Sequence, residues 1–395
     1  MHDSDQNTDD LLLGILDDVE IEPMNRMVKS NFEAWHLPRK QYVRVYQWIF
    51  LINRYRAKLL RGCTTLKYLS LPGDDLLDLR VLHEEFCSKT KITLEFLGFN
   101  KNPRDINNPR NNDVNLSLVE VKEKQYISPT SDILNNDIRL ISNKTSTAYK
   151  ETSERGPYDV INLDFCDSIF SKQSESHNTH ALLREIIYIQ SSRRRPWLMF
   201  ITTRVGESYI DRETLDKLMA CFQDNLKNDV FSSAAKEKLS ISGFSDVSNA
   251  LKQNDSHINI TLISLLKWLL SYALSFKPAF KIELCSTMTY VVDINSPGVD
   301  LVSFALIFTP IDERPEDKFA LISSEIQKVP TPSEPELAVE FITNVLKKTN
   351  CDIILQDNQK TWDNMLSQTE KLLSESRYVL AKYKDWLKTH FSTPT

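Results

Sequence analysis

A chain of 395 residues can hold one large domain or two modest ones, and 41% apolar with 26% charged residues is an ordinary globular composition. Eight glycines argue against an extended glycine-rich phosphate loop, and a net charge of −6 excludes a protein that binds polyanions over its whole surface. The six cysteines (Cys63, Cys87, Cys166, Cys221, Cys285, Cys351) are widely spaced without a C-x-x-C pair, so they read as reduced, buried thiols of a cytoplasmic protein, with no metal site expected.

The charge is unevenly spread. Residues 1–22 hold eight acids and no Lys or Arg, the composition of a mobile acidic arm. Residues 26–61 reverse this, with nine Lys/Arg against the single acid Glu33. Helices are predicted over 24–35 and, after Pro38, over 39–61, the second with an apolar and aromatic face. A short strand over 67–71 enters the turn at Pro72-Gly73. A helix follows through Leu76, Leu79, Leu82 and Phe86, then a strand over 92–97: a right-handed βαβ unit. The polar loop 101–112 leads to a helix over 113–124, a short third strand within 131–139 and a polar connection over 144–156.

Strands over 158–163 and 197–202 flank a helix over 180–190. Another helix covers 211–228, and the polar stretch 229–258 reads as an insertion. The apolar run 260–276 contains Lys267 and is too short and too polar to span a bilayer, so it reads as a core helix. Two long β-rich runs, 280–292 and 299–309, surround Pro297-Gly298 and form an antiparallel hairpin. After a loop-rich stretch, helices are predicted over 336–348 and, as one long element, over 360–388. The latter carries the apolar stripe Trp362, Leu366, Leu373, Leu380 and Leu387.

Continuous apolar strands alternating with helices imply a parallel sheet buried on both faces. The fold class is therefore α/β: a doubly wound, mostly parallel sheet with a C-terminal antiparallel hairpin. In such sheets the polar residues at strand ends face the ligand crevice, which places Asn162, Asp164 and Asp167 beside Thr202, Thr203 and Arg204.

Five such strands closed by a hairpin resemble the class I S-adenosylmethionine-dependent methyltransferases. In that family the first strand ends in an acid and a glycine turn, where this chain has Ser70 and, after Pro72, Gly73. The second strand ends in an acid that bonds the ribose, where this chain has Asn100. An Asp after the third strand lies near the adenine, a position that Asp137 matches. Asn162-Leu-Asp-Phe165 resembles the Asn/Asp-Pro-Pro-aromatic loop of amino-methylating members, without its prolines. The resemblance thus implies S-adenosylmethionine as cofactor, Ser70, Gly73, Asn100 and Asp137 as its contacts, and Asn162 and Asp164 as catalytic residues.

On this reading, residues 1–22 are the acidic arm, 23–62 a basic and aromatic helical cap, 63–310 the methyltransferase-like domain with its insertion at 229–258, and 311–395 a helical C-terminal extension. The implied function is a methyltransferase-like protein acting in, or derived from, nucleic-acid modification, of the type found beside bacterial modification or antiviral-defence genes. The alternative is a catalytically inactive scaffold that binds a protein partner through the 360–388 helix.

Several features admit plainer readings. Asp74 and Asp75 suit helix caps. Arg193-Arg194-Arg195 suits a solvated helix C-terminus. Cations mixed with Trp35, Tyr42, Tyr46, Trp48 and Tyr55 have the composition of a nucleic-acid surface and nominate Arg39, Lys40 and Arg44 as contacts. The competing reading is an amphipathic helix with a basic outer face.

Overall fold

The computed structural model describes residues 28–101, 110–165, 167–174, 178–292, 298–311 and 333–390. The alternating apolar runs assemble into one sheet of β1 (Thr65–Ser70), β2 (Thr93–Phe99), β3 (Asp132–Leu134), β4 (Val160–Asp164), β5 (Trp197–Arg204), β6 (Phe280–Tyr290), β7 (Leu301–Pro310) and β8 (Thr349–Asn350). Their spatial order is β3-β2-β1-β4-β5-β7-β6-β8. The first five strands are parallel, and β7 enters antiparallel between β5 and β6. The fold is the expected α/β class. Strand order reverses direction between β1 and β4, and a doubly wound sheet opens its crevice at such a switch point.

Strand composition explains the layering. In β4, Val160 packs into the core on one side of the sheet, while Ile161 and Leu163 pack into the core on the other. On β5, Trp197 lies opposite Phe308 of β7, and the two rings stack with centroids 3.9 Å apart. One face is covered by helices Thr179–Gln190, Arg212–Asn225, Asn254–Ser275 and Glu334–Val345. The helix Asn254–Ser275 is long and apolar enough to cross a membrane, yet most of its apolar window is buried inside this core. Its Lys267 is buried and lies 3.5 Å from both Asp224 and Glu334.

The other face is covered by α1, spanning 38–60, α2, spanning 77–90, and the C-terminal helices Gln359–Glu375 and Leu380–His390. Pro38 opens α1 at a position where the missing N–H costs nothing. A π-helical turn over Arg44–Ile49 interrupts its α-helical winding. At the far end of the sheet, Arg193 is buried. It donates to Asp159 at 2.5 Å and to the Leu59 carbonyl at 3.1 Å, locking the end of α1 to the sheet. The solvated helix end expected for the arginine triplet describes Arg194 but not Arg193.

Several expected elements differ. Residues 28–33 are not helical, and among the described residues a single turn, Ala34–His36, precedes α1, while the start of the helix expected from residue 24 lies outside them. The predicted helix over 360–388 is two helices, because Arg377 adopts a left-handed backbone (φ 72°) between them. Both departures have one cause. The Lys29 N–H donates to the Arg377 carbonyl at 2.9 Å and the Val379 N–H to the Lys29 carbonyl at 3.0 Å, so two distant segments satisfy each other's backbone in place of helical bonds. The connection over 144–156 contains a helix, Thr147–Arg155, capped by Ser146. The stretch 229–258 carries helices Asp229–Leu239 and Phe244–Ala250, whose Phe231, Ala235 and Val247 join the core. The acidic arm 1–22, Cys166 and the Pro297 turn position lie outside the described residues.

The C-terminal stripe is buried internally. Trp362, Leu373 and Leu387 are buried, while Leu366 and Leu380 are partly so, all against the same core as α1 and α2. Its burial therefore needs no partner subunit. Leu373→Ala should lower unfolding free energy by about 2–5 kcal/mol in denaturant titration while leaving the sedimentation coefficient of the native protein unchanged. A stability within 0.5 kcal/mol, on the order of a surface substitution, would contradict this packing.

Candidate functional site

The crevice at the β1/β4 switch point is a cavity of about 950 Å³, bounded by the β1 turn, the end of β2, the segment after β3, the end of β4 and the stretch 28–36. Its β1 wall is built by close packing. A Cβ on Gly98 would meet Pro72 Cγ at 2.9 Å and Ile133 Cγ1 at 3.1 Å, so β2 needs glycine where the turn folds onto it. Gly73 itself has no such crowding, and a Cβ there would meet nothing within 4 Å. The Asn100 amide donates to the Pro72 carbonyl and to the Asp74 carboxylate, each at 3.1 Å, holding the turn from the β2 side. The caps expected of Asp74 and Asp75 are not made: α2 starts after Leu76 without a side-chain cap.

Asp75 instead anchors the roof. It pairs with Lys29, accepts from the Tyr378 hydroxyl at 2.7 Å and lies 3.8 Å from His36 Nε2. Burial pushes its carboxyl up, but His36, Lys29 and Tyr378 outweigh burial and hold it well below the ordinary carboxylate range. Burial also lowers His36, and His36 Nδ1 accepts from the Glu33 N–H at 3.0 Å, which leaves Nε2 to carry the proton facing Asp75. Phe32 closes the roof from above, packed among the rings of Tyr378, Tyr383 and Trp386.

The β4 wall is ionic. Lys40 Nζ lies 2.5 Å from Asp164 and sits over the Trp48 ring, 4.7 Å from its centroid. One turn on, Arg44 pairs with Asp78 at 2.6 Å and donates to the Trp35 carbonyl at 3.2 Å. Arg39 pairs with Asp352 at 3.0 Å and reaches the Val291 carbonyl. Burial pushes the Asp164 carboxyl up, and Lys40 pulls it back. Burial does the same to Asp352, opposed by Arg39. Arg39, Lys40 and Arg44 are 8%, 3% and 3% exposed. This corrects the expectation of a nucleic-acid contact at these three positions. Their heads are consumed by carboxylates beneath the helix and present no outer face.

On the β3 side, Asp137 accepts from the Arg139 N–H at 2.9 Å and lies 3.5 Å from both Lys101 Nζ and the Arg139 guanidinium. Arg139 also bonds Asp167 at 2.7 Å and lies over the Phe165 ring. Of the residues nominated from sequence, Gly73, Asn100, Asp137 and Asp164 border the cavity together. Ser70 and Asn162 do not. They are buried beneath its floor, where the Asn162 amide donates to the Tyr68 hydroxyl at 2.9 Å. Strand alternation explains this, since Asn162 shares the α1-facing side with Val160. Sequence reading missed Lys29, His36, Asp75 and Tyr378 as site groups. A signal did exist for Lys40 and Arg44, which stand at i, i+4 and continue to Gln47 and Leu51 at the spacing of a buried stripe. Among the described residues no His/Cys/Asp/Glu group could hold a metal ion.

A family model described as PP_RS20740-like matches residues 29–388. No curated protein matches the chain. Among solved structures it is similar to a putative class I S-adenosylmethionine-dependent methyltransferase from Listeria monocytogenes, at 10% identity over 73% of this chain and 72% of that one, with a TM-score of 0.32. It is also similar to MNMC2 from Aquifex aeolicus, at 12% identity over 74% and 72%, with a TM-score of 0.27.

Two outcomes follow from the ionic walls. Lys40→Met leaves the half-buried Asp164 without its cation and should cost about 1–3 kcal/mol, whereas Lys40→Met combined with Asp164→Asn should recover much of that loss. Equal stability of the single and double variants in urea titration would exclude the pairing. Asp75 has a native pKa below its unfolded value, so its contribution is fully present above about pH 4 and drains away as pH falls further. Asp75→Asn should therefore lower the melting temperature at pH 7, with the gap to wild type closing toward pH 2. A gap independent of pH would show that Asp75 is not held as a carboxylate.

Proposed function

We propose that this chain, which belongs to the PP_RS20740-like family, is a methyltransferase-like protein whose crevice takes an S-adenosylmethionine-type nucleoside without passing its methyl group to a second substrate. The observation that carries this reading is the 2.5 Å contact between Lys40 and Asp164.

The residues fit a nucleoside. With its amide holding the turn, Asn100 has its carbonyl oxygen left to accept from a ribose hydroxyl. Asp137 stands at the β3 side as an acceptor toward a base, and open space at Gly73 lets a ligand approach the backbone. Cavity size supports the same class, since sites for ligands of this size occupy roughly 300–1,000 Å³. When bound, the cofactor would supply an electrophilic methyl group.

The β4 end argues against onward transfer. Aligning an acceptor amine there requires the Asp164 carboxylate, and Lys40 already holds it from inside the protein. Lys40 Nζ already sits on Asp164 Oδ1, so an incoming amine would compete with an internal cation for a carboxylate that is only partly open to the crevice. The chain's own residues thus bind and enclose a ligand, and they occupy the place where a second substrate would be positioned.

Calorimetric titration with S-adenosylhomocysteine and with S-adenosylmethionine tests the reading. Saturable binding is expected with a dissociation constant of tens of micromolar or weaker, because a neutral Asn bonds a diol less strongly than a charged acid by roughly 1.5 kcal/mol, about tenfold. Asn100→Leu and Asp137→Ala should each weaken it about tenfold. No heat with either nucleoside at millimolar concentration would overturn the ligand class. Incorporation of labelled methyl into DNA, RNA or protein would overturn the closed acceptor position.

A further inference from the structure

The two halves of α1 treat their cations differently. In the first half, Arg39, Lys40 and Arg44 are buried in ion pairs. In the second half and just past its end, Arg54, Arg56, Lys58 and Arg61 are all exposed, and none pairs with a carboxylate among the described residues. The sequence carries no acid at all from Ala34 to Gly73. In a protein of net charge −6, four uncompensated cations on eight consecutive residues form a local positive field that the fold does not use.

Aromatics share this outer row. Tyr46 is 42% exposed and Phe50 is 53% exposed. Phe50, Arg54 and Lys58 follow one another at α-helical i, i+4 spacing, so their side chains stand roughly 5–6 Å apart along one stripe, and Tyr46 precedes them from the π-helical turn. Arg54 and Lys58 both lie against the Tyr55 ring, at 5.6 and 5.8 Å from its centroid, which fixes the base of the stripe. At its far end Arg195 reaches the Leu60 carbonyl at 2.6 Å, and the exposed Arg194 stands beside it. This surface therefore runs from the flank of α1 to the sheet edge opposite the crevice.

We infer that the outer stripe Tyr46, Phe50, Arg54, Lys58 and Arg61 is a docking surface for single-stranded nucleic acid. Exposed planar rings give bases a stacking platform, and the cations that follow them meet phosphates. A solvated helix end would account for the cations, since the C-terminus of a helix favours them. It does not account for two large rings standing in water in the same row. From Tyr46 to Arg61 the helix rises about 22 Å, room for the ~4 nucleotides at the lower end of such site sizes. The inference does not depend on the crevice binding a nucleoside, because the stripe and the crevice share no residue.

Fluorescence anisotropy with a labelled oligothymidylate of about 12 nucleotides tests it on the full chain. With the stripe's three cations engaged, log K should fall against log salt with a slope of about −2 between roughly 50 and 200 mM. The triple variant Arg54→Gln, Lys58→Gln, Arg61→Gln should flatten that slope by about 2. Phe50→Ala should weaken binding about tenfold, the loss of one stacked base, and leave the slope unchanged. All the substituted side chains are exposed, and thermal melts of the variants verify folding. No binding at about 50 mM salt, or an unchanged slope in the triple variant, would overturn the site. Equal affinity for a duplex with no effect of Phe50→Ala would overturn the single-strand assignment.

Discussion

Three buried ion pairs between α1 and the sheet side of the protein set the conditions for everything around them: Lys40 with Asp164, Arg44 with Asp78 and Arg39 with Asp352. A buried charge without its partner is strongly unfavourable, so neither helix nor acid can move independently of the other. This fixes the register of α1 more sharply than its apolar contacts could, because leucine tolerates a slide that a paired guanidinium does not. Gln47 extends the same inward row by donating to the Ser303 carbonyl at 2.9 Å on β7. Arg44 and Gln47 both fall in the π-helical turn, and that turn brings them onto the sheet-facing side.

From this clamp the crevice acquires its character. Asp164, at the end of the central strand β4, would be open to any ligand in a sheet without the helix. Here it has an internal cation. Across the cavity, Asp75 is tied to Lys29, His36 and Tyr378, residues drawn from both ends of the described chain. The roof over the crevice is therefore made by the N-terminal stretch and the bend between the last two helices. Their backbones bond each other at Lys29, Arg377 and Val379. The roof of the crevice and the packing of the two ends of the described chain are linked by this shared set of contacts.

The opposite end of the molecule follows a different rule. Arg193 and Asp159 are buried together, and the Gln190 side chain exchanges two hydrogen bonds with the Tyr158 backbone, at 2.7 and 2.8 Å. These interactions anchor the start of β4 and the end of α1, away from the crevice. Structural charge at the base and charge at the crevice are thus separated by the length of the strands, and the exposed cations of α1 belong to neither group.

The sequence by itself determined the strands and their class. Apolar runs such as Val160–Leu163 and Trp197–Ile201, separated by amphipathic helices, can only bury both faces in a parallel sheet, and that pattern is local. The methyltransferase resemblance nominated Gly73, Asn100, Asp137 and Asp164, which border one cavity, together with Ser70 and Asn162, which do not. Tertiary structure decided what those residues are free to do. Whether Lys40 faces water or Asp164 depends on a pairing across 124 positions, and whether Asp75 caps a helix or holds the roof depends on Tyr378, 303 positions away. The break in the C-terminal helix was hidden for the same reason. Periodicity over 360–388 favours one continuous helix; at the bend the Tyr378 N–H closes back on the Leu373 carbonyl, and the distant Lys29 backbone and Glu120 carboxylate hold Arg377 in its left-handed conformation. Local pattern fixes which face a side chain takes, but charge pairing and backbone satisfaction are set by whichever distant group arrives opposite.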